Sequence, residues 1–60
     1  MFKKMRKKAG LTQREAGARL GVHQSTVALW EAGKTLPRGR LLKEVAKLYE
    51  CSESELLEEV

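Results

Sequence analysis

Apolar residues in this 60-residue chain recur every three or four positions, which is the spacing of helices that bury one face. β-branched residues are few and never alternate with polar ones, so strands are not expected. Pro37 suits the first turn of a helix, where its missing N–H is no loss. The pattern predicts an all-α fold with helices over residues 2–9, from Thr12 to Gly21, over 24–31, from near Pro37 through the stripe Leu41–Tyr49, and from Ser52 onwards.

Two of the predicted helices begin with the same reciprocal cap. Thr12 is followed three residues later by Glu15, and Ser52 by Glu55. In such a capping box the hydroxyl and the carboxylate each accept a hydrogen bond from the other residue's backbone N–H. Gly21 suits the end of the second helix, because glycine adopts the left-handed conformation of a helix stop.

The length and composition limit the classes of protein that remain. Sixty residues make a single small domain, spanning 1–60. One cysteine and one histidine offer neither a disulfide framework nor a structural metal site, and no cofactor or small-molecule ligand is indicated. The longest apolar run has four residues, so no membrane span is expected. The chain has no Asp and no glycine-rich phosphate loop, so an enzyme is not expected.

Charge is distributed unevenly along the chain, whose formal net charge is +4. Residues 1–49 hold all 12 basic residues and only three acids, whereas residues 50–60 hold five glutamates and no base. A small basic domain of this kind binds nucleic acid or another anionic surface, or carries lysines and arginines merely as solvated helix faces. Charge alone leaves both interpretations open.

The segment from Gln13 to Ala32 has the pattern of a helix-turn-helix. Gly17 lies four residues before the turn residue Gly21, and a small side chain there permits two helices to approach closely. Val27 and Trp30 follow six and nine positions after Gly21, where they pack beneath the second helix of the pair.

The chain resembles the Cro/C1-type, or XRE-like, family of repressors, whose fold is the compact five-helix lambda-repressor-like domain. The resemblance covers nearly the whole chain. It departs from the family at Ala16 and Gly17, at Ala32, where Asn is frequent, and at Glu50, where Gly is frequent. The matching segments are Leu11-Thr12-Gln13, Leu20-Gly21-Val22, Ser25-Thr26-Val27 and Glu31-Ala32-Gly33-Lys34.

The resemblance implies that the third helix, residues 24–31, lies in the major groove of DNA with Gln24, Ser25 and Leu29 towards base edges. It also implies an ion pair between Arg6 and Glu31. The alternative is that Gln24, Ser25 and Leu29 are ordinary exposed residues. Phosphate contacts, or contacts of either kind, are implied for Gln13, His23, Thr26, Lys34, Arg38 and Arg40. His23 stands where the family usually has a Ser or Thr cap, and histidine is a poorer cap.

These features predict sequence-specific binding of double-stranded DNA by a repressor-like transcriptional regulator of phage or plasmid type. A cytoplasmic protein of bacterial or phage origin is expected, acting as a homodimer at least on DNA. The apolar side of the fifth helix, with Leu56, Leu57 and Val60, is the candidate dimer surface unless the core uses it. The alternative is a protein-interaction module, such as an antitoxin or anti-repressor component, which an exposed Leu29 would serve.

Overall fold

A computed structural model describes residues 1–58, and these residues form five helices and no strand. The predicted all-α, five-helix fold is confirmed. Within the described part of the chain, no helix is long and apolar enough to cross a membrane. Glu59 and Val60 lie outside the described residues. The helices are α1 (Phe2–Lys8), α2 (Gln13–Leu20), α3 (Gln24–Glu31), α4 (Arg40–Leu48) and α5 (Glu53–Leu57).

Capping boxes start α2 and α5, as the sequence predicts. The Glu15 N–H donates to the Thr12 hydroxyl at 3.0 Å, and the Thr12 N–H donates to the Glu15 carboxylate at 2.9 Å. Ser52 and Glu55 repeat the arrangement at 3.1 and 2.9 Å. The hydrogen bonds from the Thr12 backbone and hydroxyl hold the pKa of the Glu15 carboxyl below its usual value, because they favour the ionised form.

The start of α4 differs from the prediction. The helix begins at Arg40, after Gly39, and Pro37 is not in its first turn. Gly39 has φ +52° and ψ −123°. This conformation favours glycine and lies outside the helical region, so the helix does not extend back through Gly39. Pro37 instead lies in the loop between α3 and α4, where it is buried.

One hydrophobic core joins all five helices. Phe2 of α1 and Trp30 of α3 pack with their ring centroids 6.1 Å apart. Leu56 of α5 is only 1% exposed, so of the two alternatives left open for it, the core uses it and a dimer surface does not. Leu57 remains 46% exposed. The core residues are Phe2, Met5, Ala16, Val27, Trp30, Val45, Ala46, Tyr49 and Leu56.

The turn between α2 and α3 depends on the missing side chain of Gly17. A Cβ atom there would lie 2.7 Å from the Val22 carbonyl oxygen and 3.2 Å from the Gln24 nitrogen. The Val22 N–H also donates to the Gly17 carbonyl oxygen at 2.9 Å. Backbone contacts rather than side chains therefore set how closely the two helices approach.

We predict that Gly17→Ala destabilises the fold. Alanine favours a helix by about 1 kcal/mol over glycine, but the new methyl group would overlap a carbonyl oxygen that cannot rotate away, a kind of overpacking that costs about 1–3 kcal/mol. Thermal and urea unfolding, followed by far-ultraviolet circular dichroism, measure the net change. Ala18→Gly, at the neighbouring exposed position, reports helix propensity alone. A more stable Gly17→Ala protein would contradict the close approach described here.

Candidate nucleic-acid interface

Helix α3 has one face fixed in the core and one face free. Val27 and Trp30 are buried. Gln24 and Ser25 are exposed at the other face, and Leu29 there is 39% exposed. The residues expected at base edges therefore share one accessible face, and the buried residues hold that face in place.

His23 caps the N-terminus of α3. Its Nδ1 accepts a hydrogen bond from the Ser25 N–H at 3.0 Å and lies 2.8 Å from the Ser25 hydroxyl. The sequence did not reveal this role, since histidine is uncommon as a helix cap. An unprotonated ring nitrogen presents a lone pair, so it replaces the hydroxyl oxygen that serine or threonine would supply. Thr26, in the same turn, is half-buried.

A depression of about 500 Å³ lies between the N-terminus of α3 and helix α2. Arg14, His23 and Gln24 line it together with Ala18 and Val22. Arg14 is exposed, and sequence reasoning did not include it among the site residues. The signal for it was its place in the first turn of α2, directly after Gln13.

A buried ion pair connects this surface to the rest of the fold. Arg6 Nε donates to Glu31 Oε2 at 2.5 Å, and Arg6 Nη2 lies 3.2 Å from Glu31 Oε1. Arg6 Nη1 donates to the Leu11 carbonyl oxygen at 2.7 Å, and Gln13 Nε2 donates to Glu31 Oε1 at 3.0 Å. The Arg6 and Glu31 side chains are 8% and 6% exposed. The network thus joins α1, the following loop, the start of α2 and the end of α3.

The network changes the pKa of the Glu31 carboxyl. Burial raises the pKa of its carboxyl. The hydrogen bonds from Arg6 and Gln13 and the positive charges of Arg6 and Lys3 lower the pKa by more than burial raises it, so it lies below its ordinary value. A carboxyl with a lowered native pKa stabilises the fold above its unfolded pKa, and this stabilisation is lost as the pH falls through the native value. The network therefore weakens only in acid.

Gln13 has a structural partner as well as an expected DNA contact. It is half-buried at the first position of α2, and one N–H of its amide is used by Glu31. The amide group has a second N–H and a carbonyl oxygen. The first backbone N–H groups of α2 lie beside it and have no partner within the helix.

The loop from Ala32 to Gly39 carries the other expected phosphate ligands. Lys34 and Arg38 are exposed and line one depression of about 690 Å³ together with Leu36. Arg40, at the start of α4, is exposed but does not line that depression. Leu36 is 57% exposed, and the sequence alone had not indicated it as a surface feature. Across residues 1–58, no three His, Cys, Asp or Glu side chains come together as a metal site.

The family model described as helix-turn-helix, of XRE/Cro/C1 type, matches residues 2–56. The chain belongs to this family. The resemblance inferred from the sequence is confirmed, and the family is one of DNA-binding transcription regulators. Comparisons with curated proteins and with solved structures gave no match.

We predict that Arg6→Met destabilises this XRE-type domain severely. Removal of one partner from a buried ion pair leaves an uncompensated charge and costs about 3–5 kcal/mol. The double variant Arg6→Met/Glu31→Leu removes both charges and should recover part of that loss. Urea unfolding monitored by the fluorescence of Trp30, the single tryptophan, gives the free energies of unfolding.

Lys4→Met is the matched control, because Lys4 is exposed on the same helix. A surface change of this kind alters stability by no more than about 0.5 kcal/mol. If Arg6→Met were as stable as Lys4→Met, the network would not have the structural role described. If the double variant were less stable than Arg6→Met, an unpaired Glu31 charge would not be the cause.

Proposed function

We propose that this protein is a sequence-specific double-stranded-DNA-binding regulator that places α3 in the major groove. The observation that carries the proposal is the division of α3 into a core face, with Val27 and Trp30, and an accessible face, with Gln24, Ser25 and Leu29. A helix held from behind presents its exposed side chains in a fixed register, which readout of base edges requires.

The side chains on the accessible face of α3 can form hydrogen bonds and apolar contacts with base edges. The Gln24 amide pairs in a bidentate way with adenine N6 and N7. The Ser25 hydroxyl donates or accepts at several base edges, and the Leu29 side chain suits a thymine methyl group. This combination favours operators with A·T pairs opposite the first turns of α3.

Contacts to the DNA backbone would come from both sides of α3. The start of α2 offers the side chains of Gln13 and Arg14 and the backbone N–H groups of these first two helical residues, which attract anions. On the other side, Lys34, Arg38 and Arg40 are exposed, and His23 and Thr26 lie at the N-terminal turn of α3. Binding should therefore weaken steeply with salt, because each phosphate contact releases a counterion.

The protein would act as a homodimer on DNA. The domain measures 25 Å in its longest dimension, and dimers of this type bind half-sites about 34 Å apart. The candidate dimer surface is a groove of about 200 Å³ whose lining includes the exposed Leu36 and Leu57 and the buried Phe2 and Trp30. Repression would follow from operator occupancy that excludes polymerase, in the bacterial cytoplasm, as in regulators of phage or plasmid type.

A second candidate function rests on the same two leucines. Leu36 and Leu57 are 57% and 46% exposed, which also suits contact with a different protein, as in an antitoxin or anti-repressor component. In that case DNA binding would be weak or unspecific, and the main ligand would be that protein.

Selection of bound sequences from a random duplex library, near physiological salt, decides between these functions. We expect enrichment of a palindrome with half-sites about 10 bp apart. Enrichment of a single half-site would support base readout without a dimer. Binding without enrichment would contradict base readout by α3, and no binding would favour the protein-partner function.

Two single variants should separate base contacts from phosphate contacts. Gln24→Ala should weaken operator binding by about 1–3 kcal/mol and relax the preference at one base position, because it removes a base contact. Lys34→Ala should weaken binding to DNA of every sequence by the same factor and reduce the slope of log affinity against log salt concentration by about 1. Fluorescence anisotropy with operator and scrambled duplexes, at several salt concentrations, measures both effects.

Lys8→Ala is the charge-matched control. Lys8 lies beside Glu55, in a depression between α1 and α5 that holds none of the proposed DNA contacts. Its removal should leave the salt slope unchanged. Unchanged operator affinity in Gln24→Ala would refute the assignment of α3 to the major groove.

A further inference from the structure

The N-terminus of α3 is capped by the side chain of a histidine, His23. Two hydrogen-bonding groups of Ser25, its backbone N–H and its hydroxyl, contact the same atom, His23 Nδ1, at 3.0 and 2.8 Å. Histidine is the side chain that ordinarily exchanges a proton between pH 5 and 8. Serine, threonine and asparagine caps do not titrate in that range.

The geometry defines the state of the ring. Nδ1 accepts the Ser25 N–H, so Nδ1 carries a lone pair and the neutral ring carries its proton on Nε2. The same lone pair orients the Ser25 hydroxyl, one of the groups assigned to base edges. A proton on Nδ1 would remove the acceptor for the Ser25 N–H and would reverse the hydrogen bond to the Ser25 hydroxyl, whose oxygen would then accept from Nδ1.

No acidic side chain lines the depression that contains His23. The depression it lines with Val22, Gln24 and Ala18 contains one charged side chain, the basic Arg14. The first turn of α3 contains no acidic residue. Within the described residues, therefore, the acceptor role towards Ser25 is the contact that the structure provides for Nδ1.

We propose that His23 is a positioning residue for base readout, and that the protein distinguishes its operator from other DNA only while His23 Nδ1 is unprotonated. This inference rests on the proposed function. Protonation has two opposite effects on DNA binding. It removes the cap on the Ser25 N–H and turns the Ser25 hydroxyl from a donor towards Nδ1 into an acceptor, which lowers sequence discrimination. It also adds a positive charge near the phosphates, which strengthens binding to every sequence alike.

The ratio of operator affinity to scrambled-duplex affinity isolates the first effect. We expect the ratio to fall on the order of 5- to 20-fold between pH 8.0 and 5.5 at constant ionic strength, the size expected when a helix cap is lost. Affinity for the scrambled duplex should not fall. His23 is the single histidine of the chain, so no other imidazole contributes to this profile.

His23→Asn is the decisive variant. Its side-chain oxygen accepts the Ser25 N–H but does not titrate, so the ratio should not change between pH 8.0 and pH 5.5. His23→Ala should show the low ratio throughout. A pH profile in His23→Asn equal to that of wild type, or a flat wild-type ratio well above one, would overturn the inference. A ratio of one even at pH 8.0 would overturn the proposed function together with it.

A second measurement does not depend on DNA. Ring ¹⁵N shifts of His23 in the free protein should show the neutral Nε2–H form at pH 8.0, and the Ser25 amide proton should shift as the ring titrates. A neutral ring with its proton on Nδ1 would contradict the cap and overturn the inference. Thermal unfolding of each variant at both pH values confirms that folded proteins are compared.

Discussion

The buried pair of Arg6 and Glu31 is the interaction on which the arrangement of this small domain depends. A chain of this length buries only about 60% of the surface that it exposes when unfolded, so the apolar core alone gives little excess stability. The ion pair fixes how the elements around that core are oriented. Arg6 also binds the Leu11 carbonyl oxygen and Glu31 also binds Gln13, so one charge pair fixes α1, the first loop and the start of α2 against the end of α3.

This arrangement links the core to the proposed DNA surface. Glu31 holds the amide of Gln13 at the start of α2, while Trp30, its neighbour in the chain, anchors α3 and packs on Phe2. The start of α2 and the core face of α3 are thus held by Glu31 and Trp30, which lie outside the proposed DNA contacts. A change in the interior network would alter DNA binding through position rather than through lost contacts.

The sequence predicted most of the fold because its signals are local. Capping residues, glycine stops and helical periodicity act within a few residues, and these signals located α2, α3 and α5 closely. The predicted start of α4 near Pro37 was wrong, because a proline satisfies the local rule for the first turn of a helix. The positive φ of Gly39, which precedes the observed start, depends instead on how the loop closes over the core. Leu56 was likewise undecided, since only the packed structure shows which leucine of α5 the core uses.

The candidate site was less predictable, because its details depend on pairs of side chains that share a partner. The exposed face of α3 follows from spacing. By contrast, the hydrogen bond from Gln13 to Glu31 and the one from the Ser25 N–H to His23 join atoms that come into contact only when the helices form and pack. Arg14 was overlooked for a similar reason: its place beside the start of α3 follows from the angle between α2 and α3.

The close approach at Gly17 has a consequence for how such a regulator diversifies. Since the α2–α3 geometry is set by backbone atoms, the outward residues of α3 do not maintain it. Gln24 and Leu29 are therefore free to change in evolution or in design, and a new operator preference need not be accompanied by a compensating change in the scaffold. Ser25 is the exception, because its partner His23 would have to change with it.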